Sequence, residues 1–450
     1  MPDKAKYNNW IHAGFFSGLQ KLSVPLSSLF VTMILAHKVL TKQEMGVWAI
    51  FMSITAIIEL MRQGLVKTAM IKFINHSGAE HQRFVLGAAF FLNATITLFT
   101  AFVMYILTPY FSHIFNAPQL EQMLYLLQVG MLLMIPFSHF EWLMYSKVLF
   151  KGLFWTYFFR QGLTLGLVCI LFLLNKKISL NTLVVIYNLG LFVGTLVSYR
   201  YVKTFLINSF VLSKSWIFNL FHFGKYVFAS GLSTLVFRSA DQMMLSPILG
   251  STNFNASQNI AMRFINLSDL PSQTLGDILF PISSQSDNSR NPEIIKYYYE
   301  KTVGASLCVG LPLVLFVLIF PKIIIYLLAG PQYYDAIPYL RLISLTSVSL
   351  AFLKQYGVIM DSTGRPLINL ITISIIAIVQ VLLLYYFLKT FQFLGAGYAL
   401  LLSHLIGFII TQSLLYKLFK INFLNAFKYA FKFYPEFFKI ILEKLKWKRH

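Results

Sequence analysis

Apolar runs of about 20 residues, the length that crosses a bilayer core as a helix, recur along this 450-residue chain. They can be laid out as twelve spans, near 14–37, 46–72, 84–108, 122–146, 153–174, 180–199, 224–248, 256–280, 302–320, 335–358, 367–388 and 393–416. The seventh and eighth are the most polar. The first is too long for a signal-peptide core and lacks a small-residue cleavage site after it, so it reads as a retained span. The longest non-spanning connection, roughly 200–223, divides the chain six and six. The pattern predicts an N-terminal lobe over 1–200 and a cytoplasmic linker over 201–223. A C-terminal lobe over 224–416 and a basic amphipathic cytoplasmic tail over 417–450 follow. The halves begin alike: a span ending near Leu40 or Gly250, a short loop, then a long second span. Similar halves related by an axis along the membrane normal are a common transporter plan.

Composition agrees. Hydrophobic residues make up 57% and charged residues 12%, with a mean hydropathy of +0.68. Soluble domains carry about 25% charged residues, so the chain reads as an all-α polytopic membrane protein. The net charge of +21 raises nucleic acid as a partner. The basic residues, however, gather in short loops and in the tail, as membrane topology requires. Nucleic acid is therefore set aside. One set of loops holds Lys72, Arg83, Lys147, Lys151, Arg200, Lys203, Lys214, Arg290, Lys296 and Arg365; the alternating set is poorer. The positive-inside rule then puts both termini in the cytoplasm. Cys169 and Cys308 both fall in spans and support neither a disulfide framework nor a metal cluster. In the tail, Phe427, Phe431 and Phe437 alternate with Lys428, Lys432 and Lys439, which suits a helix lying on an anionic leaflet. Pro435 is expected to break or bend it.

Four arginines lie inside apolar stretches: Arg62, Arg160, Arg238 and Arg263. A charge at bilayer depth costs roughly 2.5–3.5 kcal/mol on insertion scales, so such groups face a polar cavity or a partner. Glu59 and Arg62 share a helix face at i, i+3, and Arg238 with Asp241 repeats that spacing. Arg62 either lines a cavity with Glu59 holding its rotamer, or forms a structural ion pair. Arg263 and Asn266 share a face of the eighth span, with Asp269 close to it. Asp241 and Asp269 read either as ion-coupling groups or as charge-balancing residues. Arg160 lies where it could line the cavity or snorkel to the cytoplasmic interface. Lys354 ranks below these, and Glu141 with His139 reads as interfacial. His404 and Gln380 are expected to hydrogen-bond between helices.

Several motifs resemble Wzx-type polysaccharide flippases. Leu328 to Arg341 (LAGPQYYDAIPYLR) is similar to that family's turn into the tenth span. Gly364-Arg365-Pro366 resembles its turn before the eleventh, and Phe393 to Ala399 (FLGAGYA) the approach to the twelfth. Asp241 to Gly250 (DQMMLSPILG), Ala261 with Arg263, and Phe280-Pro281 resemble its seventh and eighth spans. Leu40 to Ala49 (LTKQEMGVWA) looks like its first periplasmic loop. Asn255 and Ser257 depart from the pattern, where the family usually has Gly and an aromatic.

The family lies in the multidrug/oligosaccharidyl-lipid/polysaccharide exporter superfamily. The resemblance implies about twelve transmembrane helices in two six-helix lobes, forming a V around a central cationic cavity. It implies a polyprenyl-diphosphate-linked oligosaccharide, such as an O-antigen repeat unit, carried from the inner to the outer leaflet of a bacterial inner membrane. Arg62, Arg160, Arg238 and Arg263 would bind the substrate, with Glu59, Asp241 and Asp269 as charge partners or ion-coupling groups. No cofactor is expected; Na⁺ or H⁺ coupling and the membrane potential are open as energy sources. Membrane lipids are expected partners, with polysaccharide polymerase and assembly proteins as further candidates.

Three other classes compete, one of them a scaffold or structural channel, which has no need of costly arginines spread across several spans. A multidrug and toxin-extrusion cation antiporter would ask for net carboxylates in the cavity, whereas the deep charges here are mainly arginine. A membrane glycosyltransferase, polymerase or ligase would ask for a sizeable outward loop carrying acidic, His or Arg residues. The outward loops are short, and no Asp-x-Asp, nucleotide loop or nucleophile triad occurs.

Overall fold

The structure, a computed structural model, describes residues 4–76, 79–206, 211–284 and 291–447. These are helical almost throughout, with no strand among them. In chain order the helices are α1 (Lys4–Ile34), α2 (Lys42–Arg62), α3 (Thr68–His76), α4 (Ala79–Ile114), α5 (Pro118–Ser146), α6 (Phe150–Leu173), α7 (Leu180–Val202) and α8 (Lys214–Leu249). There follow α9 (Asn253–Ser268), α10 (Leu270–Ser284), α11 (Pro292–Ile319), α12 (Pro321–Ala329), α13 (Ala336–Ser362), α14 (Pro366–Phe391), α15 (Phe393–Phe419) and α16 (Phe423–Trp447).

Among the described residues, 10 helical segments are long and apolar enough to cross a membrane. They coincide with ten of the twelve expected spans. The other two, the seventh and eighth, are helical as well, over α8 and over α9 with α10, but are not among these segments; the eighth is broken at Asp269 into helices of 16 and 15 residues. The fold is all-α and polytopic, consistent with twelve membrane helices.

The chain forms two compact units. One comprises Met1–Leu235, Gly250–Ala256 and Leu328–Gly330; the other Val236–Leu249, Ser257–Leu327 and Pro331–His450. In the first unit α5 packs against α4 and α7, and α6 against α7 and α1. In the second, α13 packs against α11 and α15, and α14 against α15. The third, fourth, fifth and sixth spans thus pair as the ninth to twelfth do. The faint likeness between the halves of the sequence has a counterpart in how each half is packed.

Local chemistry sets the start of α2. Thr41 Oγ1 accepts from the Glu44 amide at 3.2 Å while Glu44 Oε2 accepts from the Thr41 amide at 2.9 Å, a reciprocal capping box. One turn later Gly46 lets the 250–256 segment approach: a Cβ there would lie 1.8 Å from the Thr252 carbonyl oxygen. Between α2 and α3 the helix does not stop but widens to a π segment, Gln63–Lys67. Helix α8 crosses it so closely that a Cβ at Gly224 would lie 1.9 Å from the Leu65 carbonyl oxygen.

The tail is a docked helix. In α16, Ala426 and Ala430 are buried, and Gly304 of α11 makes room for Tyr429 beside them. Glu300 of α11 accepts from the Asn422 amide at 3.0 Å and Asn425 Nδ2 at 3.1 Å. The Tyr434 hydroxyl donates to the Cys308 carbonyl at 2.8 Å. Residues 300, 304 and 308 are successive turns of one face of α11. The helix runs through Pro435 rather than ending there, and Lys428, Phe431 and Lys432 are exposed.

Candidate functional site

In the first unit the buried charges converge on one stripe of α5. Arg62, at the C-terminal end of α2, is 1% exposed. Its Nη2 donates to Asn93 Oδ1 of α4 at 3.2 Å, the Met134 carbonyl at 3.0 Å and Ser138 Oγ at 2.7 Å. Asn93 Nδ2 in turn donates to the Ile135 carbonyl at 2.9 Å. Both carbonyls lie just before Pro136, whose ring interrupts the helical ladder. Arg62 and Asn93 thus tie α2 and α4 to two successive carbonyls of α5 beside the proline. Arg62 Nε and Nη1 are buried with no hydrogen-bond partner among the described residues.

The expected Glu59–Arg62 pair is not the contact that forms. Glu59 is only half-buried and within electrostatic range of Arg62, Arg160 and Glu141, while the guanidinium turns inward to α4 and α5. Arg160 of α6 does not snorkel. It is buried, stands over the rings of Phe137 at 4.7 Å and Tyr187 at 5.6 Å, and donates to the Tyr187 hydroxyl at 3.2 Å. Packing against aromatic faces recovers cation–π energy that a free charge would lack.

Glu141 and His139, expected at an interface, are buried inside this unit. Glu141 Oε1 accepts from the Tyr157 hydroxyl at 3.0 Å and lies 3.6 Å from Lys67 Nζ. Lys67 also stands 4.2 Å from the Tyr145 ring centroid. A cleft of about 310 Å³ lined by Gln63, Gly64, Lys67 and Phe228 opens beside the π segment.

In the second unit, Arg238 of α8 is exposed and has no hydrogen bond or ion pair with any described residue. The expected Arg238–Asp241 pair does not form. Asp241 is buried and accepts from Gln258 Nε2 of α9 and from the Gln242 amide at 2.9 Å. One amide donor from α9 and the next backbone N–H of α8 itself satisfy the carboxylate, and the arginine one turn back is left outward. Asp269, at the turn between α9 and α10, is ion-paired with Lys354 of α13 and accepts from Gln273 Nε2 at 3.1 Å. Lys354, ranked low from sequence, is thus a member of the site. Arg263 is half-buried on α9. Ser257, a departure from the family pattern, donates to Asp335 Oδ2 at 2.8 Å, at the entry to α13. His404 meets Ser349 Oγ at 3.3 Å as expected, whereas the Gln380 amide is buried without a partner among the described residues.

A family model described as polysaccharide biosynthesis protein matches residues 34–338, well over half of the chain. The chain belongs to this family. Among curated proteins it is 27% identical over 215 residues to the uncharacterized membrane protein MJ1068 of Methanocaldococcus jannaschii. That match covers 48% of this chain and 42% of the relative, so the chain spans under half of that protein's length.

The fold is shared with solved transporters. Lipid II flippase MurJ in an inward closed conformation superposes with a TM-score of 0.77 at 12% identity, covering 95% of this chain and 92% of that one. An inward-facing multidrug resistance MATE transporter of the MOP superfamily gives 0.76 at 16% identity, covering 90% and 99%. A MOP superfamily transporter from Pyrococcus furiosus, described as having a binding pocket of reverse polarity, gives 0.63 at 15% identity, covering 90% and 95%. This member of the polysaccharide biosynthesis protein family is therefore a multi-pass membrane protein that shares its fold with solved transporters.

Proposed function

We propose that this protein is a flippase for a polyprenyl-diphosphate-linked oligosaccharide, a repeat unit of O-antigen or another surface polysaccharide. It moves the unit from the inner to the outer leaflet of a bacterial inner membrane by alternating access, with both termini in the cytoplasm. One observation carries the reading. In a family of polysaccharide biosynthesis proteins, Arg238 presents on a membrane helix an exposed guanidinium with no hydrogen bond or ion pair among the described residues. A cost of that kind is retained where an anion is to be met.

Planar guanidinium groups bind phosphate oxygens bidentately, and a diphosphate is at least doubly anionic. Arg62, with two buried nitrogens that no described residue satisfies, supports the same sign of ligand. The fold by itself does not choose, since the flippase MurJ and a multidrug transporter superpose equally well. Charge favours the anion. Glu59 and Glu141 are outnumbered by Arg62, Lys67 and Arg160 in the first unit, where a cation exporter would need the reverse.

The test is complementation of a flippase-deleted strain, scoring surface polysaccharide, with Arg62, Arg238 and Arg263 each changed to Ala and to Lys. Loss of surface polymer in the Ala variants at normal expression is expected. Wild-type polymer in all six variants would overturn the assignment of these residues.

A further inference from the structure

Lys354, Arg238 and Asp269 belong to three different parts of the second unit, α13, α8 and the turn between α9 and α10. Arg238 lies within electrostatic range of Lys354, and the two repel. Among the described residues, Asp269 is the carboxylate in contact with Lys354, its ion-pair partner, and Arg238 has no hydrogen bond or ion pair. Among the described residues, two neighbouring cations on membrane helices are therefore answered by one anionic side chain.

The carboxylate is also held in a way that can be undone. Lys354 Nζ and Gln273 Nε2 both meet the same oxygen, Oδ2. The Asp269 backbone is held on both sides, its amide donating to the Ile265 carbonyl and its carbonyl accepting from the Gln273 amide, each at 3.1 Å, so releasing Lys354 asks only for rotation of the Asp269 side chain. The Lys354 side chain is 30% exposed, which leaves its ammonium reachable. The lysine's backbone, by contrast, is fixed. Its neighbour Gln355 is buried and donates through Nε2 to the Ser272 carbonyl at 3.0 Å, tying α13 to α10.

We propose that Arg238 and Lys354 together seat the diphosphate of the substrate, and that Asp269 is an internal stand-in which the diphosphate displaces from Lys354. This rests on the flippase reading and deepens it. A single carboxylate can neutralise one of the two cations; a diphosphate can meet both, which makes the exchange favour the substrate. When the substrate leaves, Asp269 returns to Lys354, so the empty carrier never holds two unanswered cations. Removing one partner of an ion pair ordinarily hurts whichever partner is removed. Here the two partners act in opposite directions on ligand binding: Lys354 for it, Asp269 against it.

The experiment measures binding of farnesyl diphosphate to the full-length protein in lipid nanodiscs by calorimetry, with inorganic pyrophosphate in a second arm to separate headgroup from tail. We expect Lys354→Gln and Arg238→Gln each to weaken binding about tenfold, equivalent to about 1.4 kcal/mol. Asp269→Asn is expected to tighten it by a similar factor. Asp269→Ser repeats the charge removal with a different shape, and Lys354→Arg should retain binding. Asp269→Asn or Asp269→Ser binding no better than wild type would overturn the stand-in role while leaving the flippase reading intact. A folded wild-type protein that binds neither probe would overturn the diphosphate reading itself.

Discussion

Replacing Arg62 by Met separates a structural arginine from one kept for a ligand. Nη2 reaches three acceptors on α4 and α5, but it carries only two hydrogens. Two full-strength bonds from a charged donor are worth about 1.5–3 kcal/mol each, or roughly 3–6 kcal/mol together. Against that stand Nε and Nη1, buried without a partner among the described residues. Each such group costs about 1–3 kcal/mol, or roughly 2–6 kcal/mol for both. The terms nearly cancel, and Met fills much of the same volume. Arg62→Met should therefore shift folding stability by less than about 2 kcal/mol. The same change should abolish export, because it removes the donors that an anionic headgroup would use. The assay pairs denaturant unfolding of the purified protein in detergent with surface polysaccharide in a complemented strain. A loss of more than about 4 kcal/mol, the usual result of breaking a buried charge network, would make Arg62 a structural knot. Wild-type export by a stable Arg62→Met protein would refute the ligand role outright.

Further outcomes follow from the packing and the charge. Export of a negatively charged substrate across an inside-negative membrane gains roughly 2.3 kcal/mol per charge per 100 mV. Vesicles with an imposed potential should therefore flip substrate faster than depolarised ones, and equal rates would contradict potential-driven export. Gly46→Ala places a Cβ 1.8 Å from the Thr252 carbonyl oxygen, where only backbone movement can relieve it. Overpacking of this kind costs typically 1–3 kcal/mol or about that, so a lowered melting temperature is expected; an unchanged one would mean that the 250–256 segment yields freely. Glu300→Ala removes both acceptors that hold Asn422 and Asn425, so protease should cut within α16 faster than in wild type. Unchanged cleavage would show that the alanine face alone keeps the helix docked.

The spans were legible because each is written contiguously: an apolar run needs no knowledge of the rest of the chain. The partners of the buried charges were not. Sequence spacing offers Glu59 to Arg62 and Asp241 to Arg238 as neighbours at i, i+3. The structure instead brings Asn93 and Ser138 to Arg62 from 31 and 76 residues away, and Lys354 to Asp269 from 85. A long side chain in an apolar bundle goes where buried acceptors are, and these are set by helix packing rather than by its own helix. The same reasoning explains Arg160, whose aromatic surroundings come from α5, α6 and α7 together. Docking of the tail had a quiet signal in Ala426 and Ala430, four residues apart, a spacing that lets helix backbones approach closely. The aromatic and lysine residues around them drew attention to a lipid surface instead.

The π segment Gln63–Lys67 makes chain length itself informative. In a π turn, residues i and i+5 stack where an α-helix stacks i and i+4. Arg62 and Lys67 consequently point the same way, the first to Met134 and Ser138, the second to Glu141 and Tyr145, along one stripe of α5. Deleting one residue together with the π turn would leave Lys67 at i+4 from Arg62 and so in register. Winding the same residues as ordinary α-helix would instead turn everything after the segment by about 100°. Val66 would then take the place of Lys67 opposite Glu141. Ala69, Met70 and Ile74, now buried in the first unit's core, would rotate away from it. The segment acts as a phase keeper: its wider turn absorbs one extra residue and holds the charged face of α2 and the apolar face of α3 in step with two different neighbours.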